Sequence, residues 1–185
     1  KRMPMASTTK IMTSMVALDL ASLDERFVVE EDATKVEPTV VGLRVGEKMT
    51  TQELIRAGLL TSGNDAMSVL ANGIGKKYRG DESLFVAAMN EKEKILGLTN
   101  THFANPQGYD DPQHYTTAED LVKLSRYALA NYSEIAATVK LKDNFLKAND
   151  YHHSINLPNW NMLIDTYPGA DGIKIGNTGE AGHTT

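Results

Sequence analysis

Near its start the chain reads Met5-Ala6-Ser7-Thr8-Thr9-Lys10-Ile11-Met12. Ser7 and Lys10 are three residues apart, so on a helix their side chains lie on one face, one turn from each other. A serine at a helix N-terminus has backbone N–H groups nearby, which favour developing negative charge. A lysine beside it can act as a base when burial or a second positive charge favours its neutral form. Ser7 and Lys10 are therefore a candidate nucleophile and base.

The residues after Lys10 predict the burial that such a lysine needs. They are apolar on nearly every face of a helix that we expect to run from Ser7 to about Ala21 through the core: Ile11, Met12, Met15, Val16, Ala17, Leu18, Leu20 and Ala21. Serine is also a favoured N-cap, and Ser-x-x-Lys often arises by chance. A catalytic role for Ser7 and Lys10 therefore needs further evidence from the rest of the chain.

The composition is that of a globular domain of ordinary size. The chain has 185 residues, of which 41% are hydrophobic and 23% charged. Its net charge of -5 argues against a nucleic-acid partner. It has no cysteine, which excludes disulfides, thiolate metal sites and cysteine nucleophiles. Its histidines are a weak metal signal, because His102 and His114 are far apart and the adjacent His152 and His153 would face opposite ways on a strand. We therefore expect no metal site.

Local signals predict several further elements. A capping box at Thr50–Glu53 starts a helix that ends at the turn-prone stretch 61–65. The other expected elements are a helix from Asp65 to about Asn72 that Gly73 and Gly75 end, a helix Glu82–Leu96 capped by Asp81, a second capping box at Thr116–Glu119, and two short strands within Val36–Val45 that form a small hairpin.

Three motifs then follow one another in order: Ser7-Thr8-Thr9-Lys10, Ser62-Gly63-Asn64 and Lys174-Ile175-Gly176. This type of triple signature occurs in serine β-lactamases and penicillin-binding proteins. With its flanks, which include Thr101-His102-Phe103-Ala104-Asn105-Pro106 and His114-Tyr115-Thr116-Thr117-Ala118, the whole chain resembles the D-alanyl-D-alanine carboxypeptidases. These are low-molecular-mass penicillin-binding proteins, serine peptidases of the Ser-x-x-Lys acyltransferase superfamily. The resemblance implies an α+β, β-lactamase/transpeptidase-like fold with a helical cluster on an antiparallel sheet.

The resemblance also implies a role for each motif residue. Ser7 would attack the carbonyl between the two D-alanines of a peptidoglycan stem peptide, Lys10 would take its proton, and Ser62 would help to relay a proton to the leaving D-alanine. Asn64 would hold a substrate amide, and Lys174 would attract the terminal carboxylate. The remaining implied substrate-binding residues are Ile175, Gly176 and Asn177, with the N–H groups of Ser7 and Asn177 forming the oxyanion hole. No metal or cofactor is implied.

The chain departs from the family in two respects. The third motif usually has Thr or Ser in its middle, where this chain has Ile175, which cannot donate a hydrogen bond to the substrate carboxylate. Strands that precede the serine helix and follow the third motif in the family are missing, so most of the sheet is absent from this chain. We therefore expect residues 1–185 to form a single, incomplete penicillin-binding (transpeptidase-like) catalytic domain.

The function that follows is a serine D-Ala-D-Ala carboxypeptidase that trims stem pentapeptides through an acyl-enzyme and binds β-lactam antibiotics covalently. A β-lactamase or esterase on the same fold is one alternative, and a non-catalytic relative that binds cell-wall peptide is another. The resemblance places the protein outside the cytoplasm, secreted or membrane-associated in the bacterial cell envelope. Membrane attachment would need a C-terminal region that is absent here.

Overall fold

The computed structural model describes residues 1–184 and has the expected α+β architecture. A 3-10 turn, Ala6–Thr9, leads into the first helix. In chain order the helices are α1 (Lys10–Leu20), α2 (Glu31–Thr34), α3 (Thr51–Leu60), α4 (Asn64–Lys77), α5 (Glu82–Ile95), α6 (Ala118–Asn131), α7 (Ser133–Thr138) and α8 (Leu163–Thr166). The strands are β1 (Arg26–Val28), β2 (Lys48–Thr50), β3 (Asp143–Leu146), β4 (Ile155–Pro158), β5 (Gly176–Thr178) and β6 (Gly182–Thr184).

Helix α1 lies in the middle of the helical cluster and contacts α3, α4, α5 and α6. Every residue from Lys10 to Ala17 is buried, as the apolar pattern predicts. Burying apolar side chains of this size contributes about 1.5–3 kcal/mol each relative to exposure. The helix that carries Lys10 is therefore a rigid part of the core.

The strands form three antiparallel pairs rather than one large sheet. β1 pairs with β2, with Phe27 opposite Met49. β3 pairs with β4 and β5 pairs with β6, with Asn177 opposite His183. The last of these hairpins lies against the 3-10 turn. It therefore brings the third motif next to the first.

Two helix starts follow the predicted capping chemistry. Thr50 accepts the Glu53 backbone N–H at 3.1 Å, and the Glu53 carboxylate accepts the Thr50 N–H at 2.8 Å. Asp81 accepts the Ser83 N–H at the start of α5. These caps pair N–H groups that the first helical turn leaves without partners.

The predicted end of α4 is wrong, because the helix continues through both glycines to Lys77. A side chain at Gly73 would place its Cβ 2.4 Å from the Phe27 ring, and one at Gly75 would place it 2.0 Å from the Asp81 carbonyl oxygen. The glycines allow close packing of neighbouring segments instead of ending the helix.

Two other local predictions are also wrong. Val36–Val45 forms no hairpin, since the backbone N–H groups of Val41, Gly42 and Leu43 donate to the Asp65 carboxylate instead of to a partner strand. The N-cap of α6 is Thr117, one residue after the predicted Thr116, whose backbone pairs with Met3.

No helix within residues 1–184 has the length and apolar character needed to span a membrane.

Candidate active site

Ser7 and Lys10 meet at the start of α1, where the 3-10 turn passes into the α-helix. Lys10 Nζ lies 2.8 Å from Ser7 Oγ. Ser7 is partly exposed, whereas Lys10 is completely buried. The structure therefore places a partly solvent-exposed hydroxyl within hydrogen-bond distance of a buried amine.

The two other neighbours of Lys10 Nζ can only accept hydrogen bonds. They are Asn64 Oδ1 at 2.7 Å and the Gln107 carbonyl oxygen at 2.6 Å. A neutral amine has two N–H groups and one lone pair. When its N–H groups donate to Asn64 and Gln107, the lone pair is left to accept the Ser7 O–H. This arrangement suits a lysine that acts as a base.

The electrostatics of the site favour the neutral amine. Burial holds the pKa of Lys10 well below its usual value, and the charge of Lys174 lowers it further, whereas Asp65 raises it. Burial also lowers the pKa of Lys174, to about 7. Burial and the charge of Lys174 thus favour the neutral form of Lys10, which can accept a proton.

The second motif forms the turn between α3 and α4. Ser62 is buried and has a left-handed backbone, with φ of 66°. Within residues 1–184, no hydrogen bond joins its hydroxyl to Ser7 or Lys10. Asn64 starts α4, and its Nδ2 donates to the Glu37 carbonyl oxygen at 2.9 Å. Both ends of the Asn64 amide are therefore engaged.

Asp65 fixes the segment that borders this turn. Its buried carboxylate accepts the N–H groups of Val41, Gly42 and Leu43 at 3.0–3.1 Å. The Asn64 N–H donates to the Thr39 carbonyl oxygen at 2.7 Å. The start of α4 thus holds residues 37–43 beside the Ser7–Lys10 pair.

The third motif approaches Ser7 through β5. A side chain at Gly176 would place its Cβ 2.8 Å from the Ser7 nitrogen and 2.9 Å from Ala6 Cβ, so only glycine allows this approach. Thr178 Oγ1 donates to Asp110 at 2.6 Å, which joins β5 to the loop that carries Gln107.

Lys174 and Ile175 precede β5 rather than lying on it. Lys174 Nζ is buried and donates to the Ile175 carbonyl oxygen at 2.8 Å. Lys174 lines a hollow between α1 and α6, not the cleft beside Ser7. It acts on Lys10 through its charge.

A cleft of about 650 Å³ opens beside Ser7. Its other lining residues are Lys35, Val36, Glu37, Pro38, Thr39, Asn64, Gln107, Gly108, Tyr109, Asp110, Asn177, Thr178 and Gly179. The lining is mainly polar and offers backbone groups and amides, which suit a peptide ligand.

The structure thus brings Ser7, Lys10, Asn64, Gly176 and Asn177 together, whereas within residues 1–184 the cleft lining does not include Ser62, Lys174 or Ile175. Sequence reasoning missed Gln107, Asp65 and Asp110. The stretch Asn105-Pro106-Gln107-Gly108 signals a loop, but no local pattern shows that a loop carbonyl will bind a distant lysine.

His152 and His153 lie in the loop between β3 and β4, where His152 is buried against Glu53. Over residues 1–184, no three His, Asp or Glu side chains are grouped as metal ligands.

Comparisons with solved structures define the class of fold. A Streptomyces DD-transpeptidase superposes with a TM-score of 0.89 at 32% identity, covering 99% of this chain and 74% of that chain. A Mycobacterium tuberculosis D-alanyl-D-alanine carboxypeptidase gives a TM-score of 0.86 at 34% identity, covering 99% and 67%. The fold is that of the penicillin-binding DD-peptidases, with part of their length present in this chain.

Sequence relatives specify the family. DacF, a D-alanyl-D-alanine carboxypeptidase of Bacillus subtilis, is 37% identical over 98% of this chain and 46% of its own length. DacB2 of Mycobacterium tuberculosis is 36% identical over 98% of this chain and 60% of its own length. The chain thus spans about half the length of these relatives. A family model described as D-alanyl-D-alanine carboxypeptidase matches residues 1–185, and the chain belongs to this family.

Proposed function

We propose that this protein is a serine D-Ala-D-Ala carboxypeptidase that removes the terminal D-alanine from peptidoglycan stem peptides. The observation that carries the proposal is that the buried Lys10 Nζ lies 2.8 Å from Ser7 Oγ, with Asn64 Oδ1 and the Gln107 carbonyl oxygen as its other neighbours. The matched family and the carboxypeptidase relatives support it.

In the first step, Ser7 Oγ attacks the carbonyl carbon between the two D-alanines while Lys10 Nζ accepts the hydroxyl proton. The developing oxyanion lies near the start of the helix, and the N–H groups of Ser7 and Asn177 are the proposed donors. Gly176 supports this, since it lets β5 lie against the Ser7 nitrogen. When the peptide C–N bond breaks, Lys10 returns the proton to the leaving amine, with Ser62 as the proposed relay.

In the second step, water hydrolyses the Ser7 ester and releases the shortened peptide. Lys10 accepts a proton from this water and returns it to Ser7 Oγ. A β-lactam would acylate Ser7 by the same attack, and opening of its ring would keep the leaving nitrogen attached. Peptidoglycan stem peptides and β-lactams are thus the proposed ligands, and the cell envelope is the proposed location.

Substrate binding would rearrange the contacts of two residues. The substrate amide would displace the Glu37 carbonyl from Asn64 Nδ2. Lys174 would have to turn from the Ile175 carbonyl oxygen towards the cleft to reach the terminal carboxylate, to which Ile175 offers no hydroxyl. We infer that the missing hydrogen bond weakens the carboxypeptidase.

A non-catalytic peptide-binding role is a second candidate. The observation that favours it is the third motif, where Lys174 donates to Ile175 away from the cleft and Ile175 has no hydroxyl. Catalysis and binding alone give different results with an N-acylated Lys-D-Ala-D-Ala peptide.

Free D-alanine is measured after incubation of that peptide with the wild type, with Ser7→Ala and with Lys10→Met. The proposal predicts release by the wild type alone. Binding of the peptide by all three proteins, with no release by any, would contradict catalysis and support the second candidate.

A further inference from the structure

The backbone just before the nucleophile is strained. Ala6 is buried and has a left-handed φ of 49°. A residue with a Cβ adopts this conformation at a cost in free energy, so the surroundings must hold it in place. Because Ala6 is bonded to Ser7, its conformation sets where Ser7 Oγ points.

A directed chain of hydrogen bonds ends on the Ala6 carbonyl. The Ala104 N–H donates to His114 Nδ1 at 3.0 Å, so in the neutral ring the proton is on Nε2. His114 Nε2–H therefore donates to Thr9 Oγ1 at 2.6 Å. The single Thr9 hydroxyl proton is then left to donate to the Ala6 carbonyl oxygen at 2.7 Å.

A second contact holds the same carbonyl from another side. A side chain at Gly108 would place its Cβ 2.1 Å from the Ala6 carbonyl oxygen, so the loop backbone lies directly against it. Gly108 follows Gln107, whose carbonyl accepts from Lys10. The position of the Ala6 carbonyl is thus tied both to Thr9 and to the loop that binds the base.

The chain of hydrogen bonds is shielded from water. Thr9 and His114 are both buried, and the Phe103 ring lies edge-on to the imidazole. Burial lowers the pKa of His114 to about 4. The neutral ring, and with it the donor direction, therefore persists at neutral pH.

We propose that Thr9 and His114 are positioning residues for the nucleophile, because they hold the left-handed Ala6 that presents Ser7 Oγ to Lys10. Neither side chain touches the reacting atoms. The inference rests on the proposed acylation of Ser7. A misplacement of about 1 Å at a reacting group can slow a reaction by about a hundredfold.

The test compares Thr9→Val, which keeps the shape and loses the hydroxyl, with Thr9→Ser, which keeps the hydroxyl. Thr51→Val is the matched control, since Thr51 is also buried and its hydroxyl also donates to a backbone carbonyl, that of Glu25. Thr9→Ala is a second hydroxyl-free variant in case Thr9→Val does not fold. Stopped-flow acylation by a fluorescent penicillin separates the dissociation constant of the initial complex from the acylation rate constant, and Tm reports stability.

We expect Thr9→Val to lower the acylation rate constant by about tenfold or more with little change in the initial dissociation constant. The acylation rate constant of Thr9→Ser should stay within about threefold of the wild-type value. Thr51→Val should be less stable than the wild type but should keep its acylation rate constant. His114→Phe combined with Thr9→Val should be no slower than the slower single variant, because both act through one carbonyl. If Thr9→Val, or Thr9→Ala in its place, were acylated with the same rate constant as Thr51→Val, the proposal would be overturned.

Amide hydrogen exchange makes the test independent of acylation. In Thr9→Val or Thr9→Ala, the amides of Ser7–Lys10 should exchange faster than in Thr51→Val. A wild type that is not acylated would contradict the proposed function, whereas unchanged exchange in the Thr9 variants would overturn the positioning role itself.

Discussion

Lys10 is the residue on which the proposed chemistry depends most. Its Nζ has no access to water and meets two acceptors and one hydroxyl. Desolvation disfavours the ammonium form, and the nearby positive charge of Lys174 disfavours it further. The charge of the buried Lys174 thus affects the reactivity of Ser7 through the protonation state of Lys10.

The Lys174→Met substitution tests this link. Acylation needs neutral Lys10, so its rate falls as the pH drops through the pKa of Lys10. Removal of the Lys174 charge removes one cause of the lowered pKa, so the acid limb of the rate profile should move to higher pH. The exposed Lys140→Met is the control, with an expected unchanged profile. An acid limb that stays in place or moves to lower pH in Lys174→Met would contradict the link.

Ile175 should limit turnover of the peptide. One hydrogen bond to a charged group contributes about 1.5–3 kcal/mol. Ile175→Thr should therefore raise kcat/KM for a D-Ala-D-Ala peptide by roughly ten- to a hundredfold. Ile175→Val keeps the β-branched shape without a hydroxyl and should leave kcat/KM near the wild-type value. The same kcat/KM in the Thr and Val variants would refute the role of the hydroxyl.

For single residues, the sequence predicts the functional groups that belong to a local motif. It does not predict the groups that only the tertiary structure brings to the site. Ser7 and Lys10 are three residues apart, and the structure joins them. Gln107 acts through a backbone carbonyl, which every residue has, so its type gives no signal. Lys174 matches a family motif, but its actual partner, the Ile175 carbonyl oxygen, follows from the path of the chain before β5.

Among the elements, the start of α4 organises one side of the cleft. Asp65 ties residues 41–43 to this helix through three backbone N–H groups, and Asn64 binds the Glu37 and Thr39 carbonyls. Within residues 1–184 no strand pairs with the segment from Glu37 to Leu43, and these hydrogen bonds hold its path instead.

Asp65→Asn should release this segment. The amide NH₂ would face backbone donors, so we expect a loss of about 1.5–3 kcal/mol in the free energy of unfolding and faster proteolysis within residues 35–43. Because the Asp65 charge raises the pKa of Lys10, the acid limb of acylation should also move to lower pH. The exposed Asp32→Asn should change neither property. If Asp65→Asn had the same proteolysis rate and the same free energy of unfolding as the wild type, the anchoring role would be ruled out.

Helix starts were predictable from the sequence because caps are local, as Thr50 and Asp81 show. The end of α4 was not, because Gly73 and Gly75 serve contacts with Phe27 and Asp81 that only the tertiary structure reveals. Val36–Val45 has the β-branched residues of strands, but a buried carboxylate binds its N–H groups. Tertiary hydrogen bonding overrides local propensity there.

For the whole molecule, the buried lysines make stability depend on pH. An unfolded lysine keeps its proton up to its ordinary pKa of 10.5, whereas folded Lys174 loses it near pH 7. Between these values the unfolded state binds more protons, so this group makes stability rise with pH. The Tm advantage of Lys174→Met over the wild type should be largest at pH 7 and below and shrink towards pH 10. An advantage that is constant across this range would contradict the buried, shifted Lys174.

The covalent state of Ser7 after exposure to penicillin tests the central claim most directly. Intact mass is measured before and after incubation, with Ser7→Ala as the control, and the modified peptide is then sequenced. The account predicts an increase equal to one penicillin, located on Ser7 and absent from Ser7→Ala. An unmodified, folded wild type, or an adduct that persists in Ser7→Ala, would contradict it.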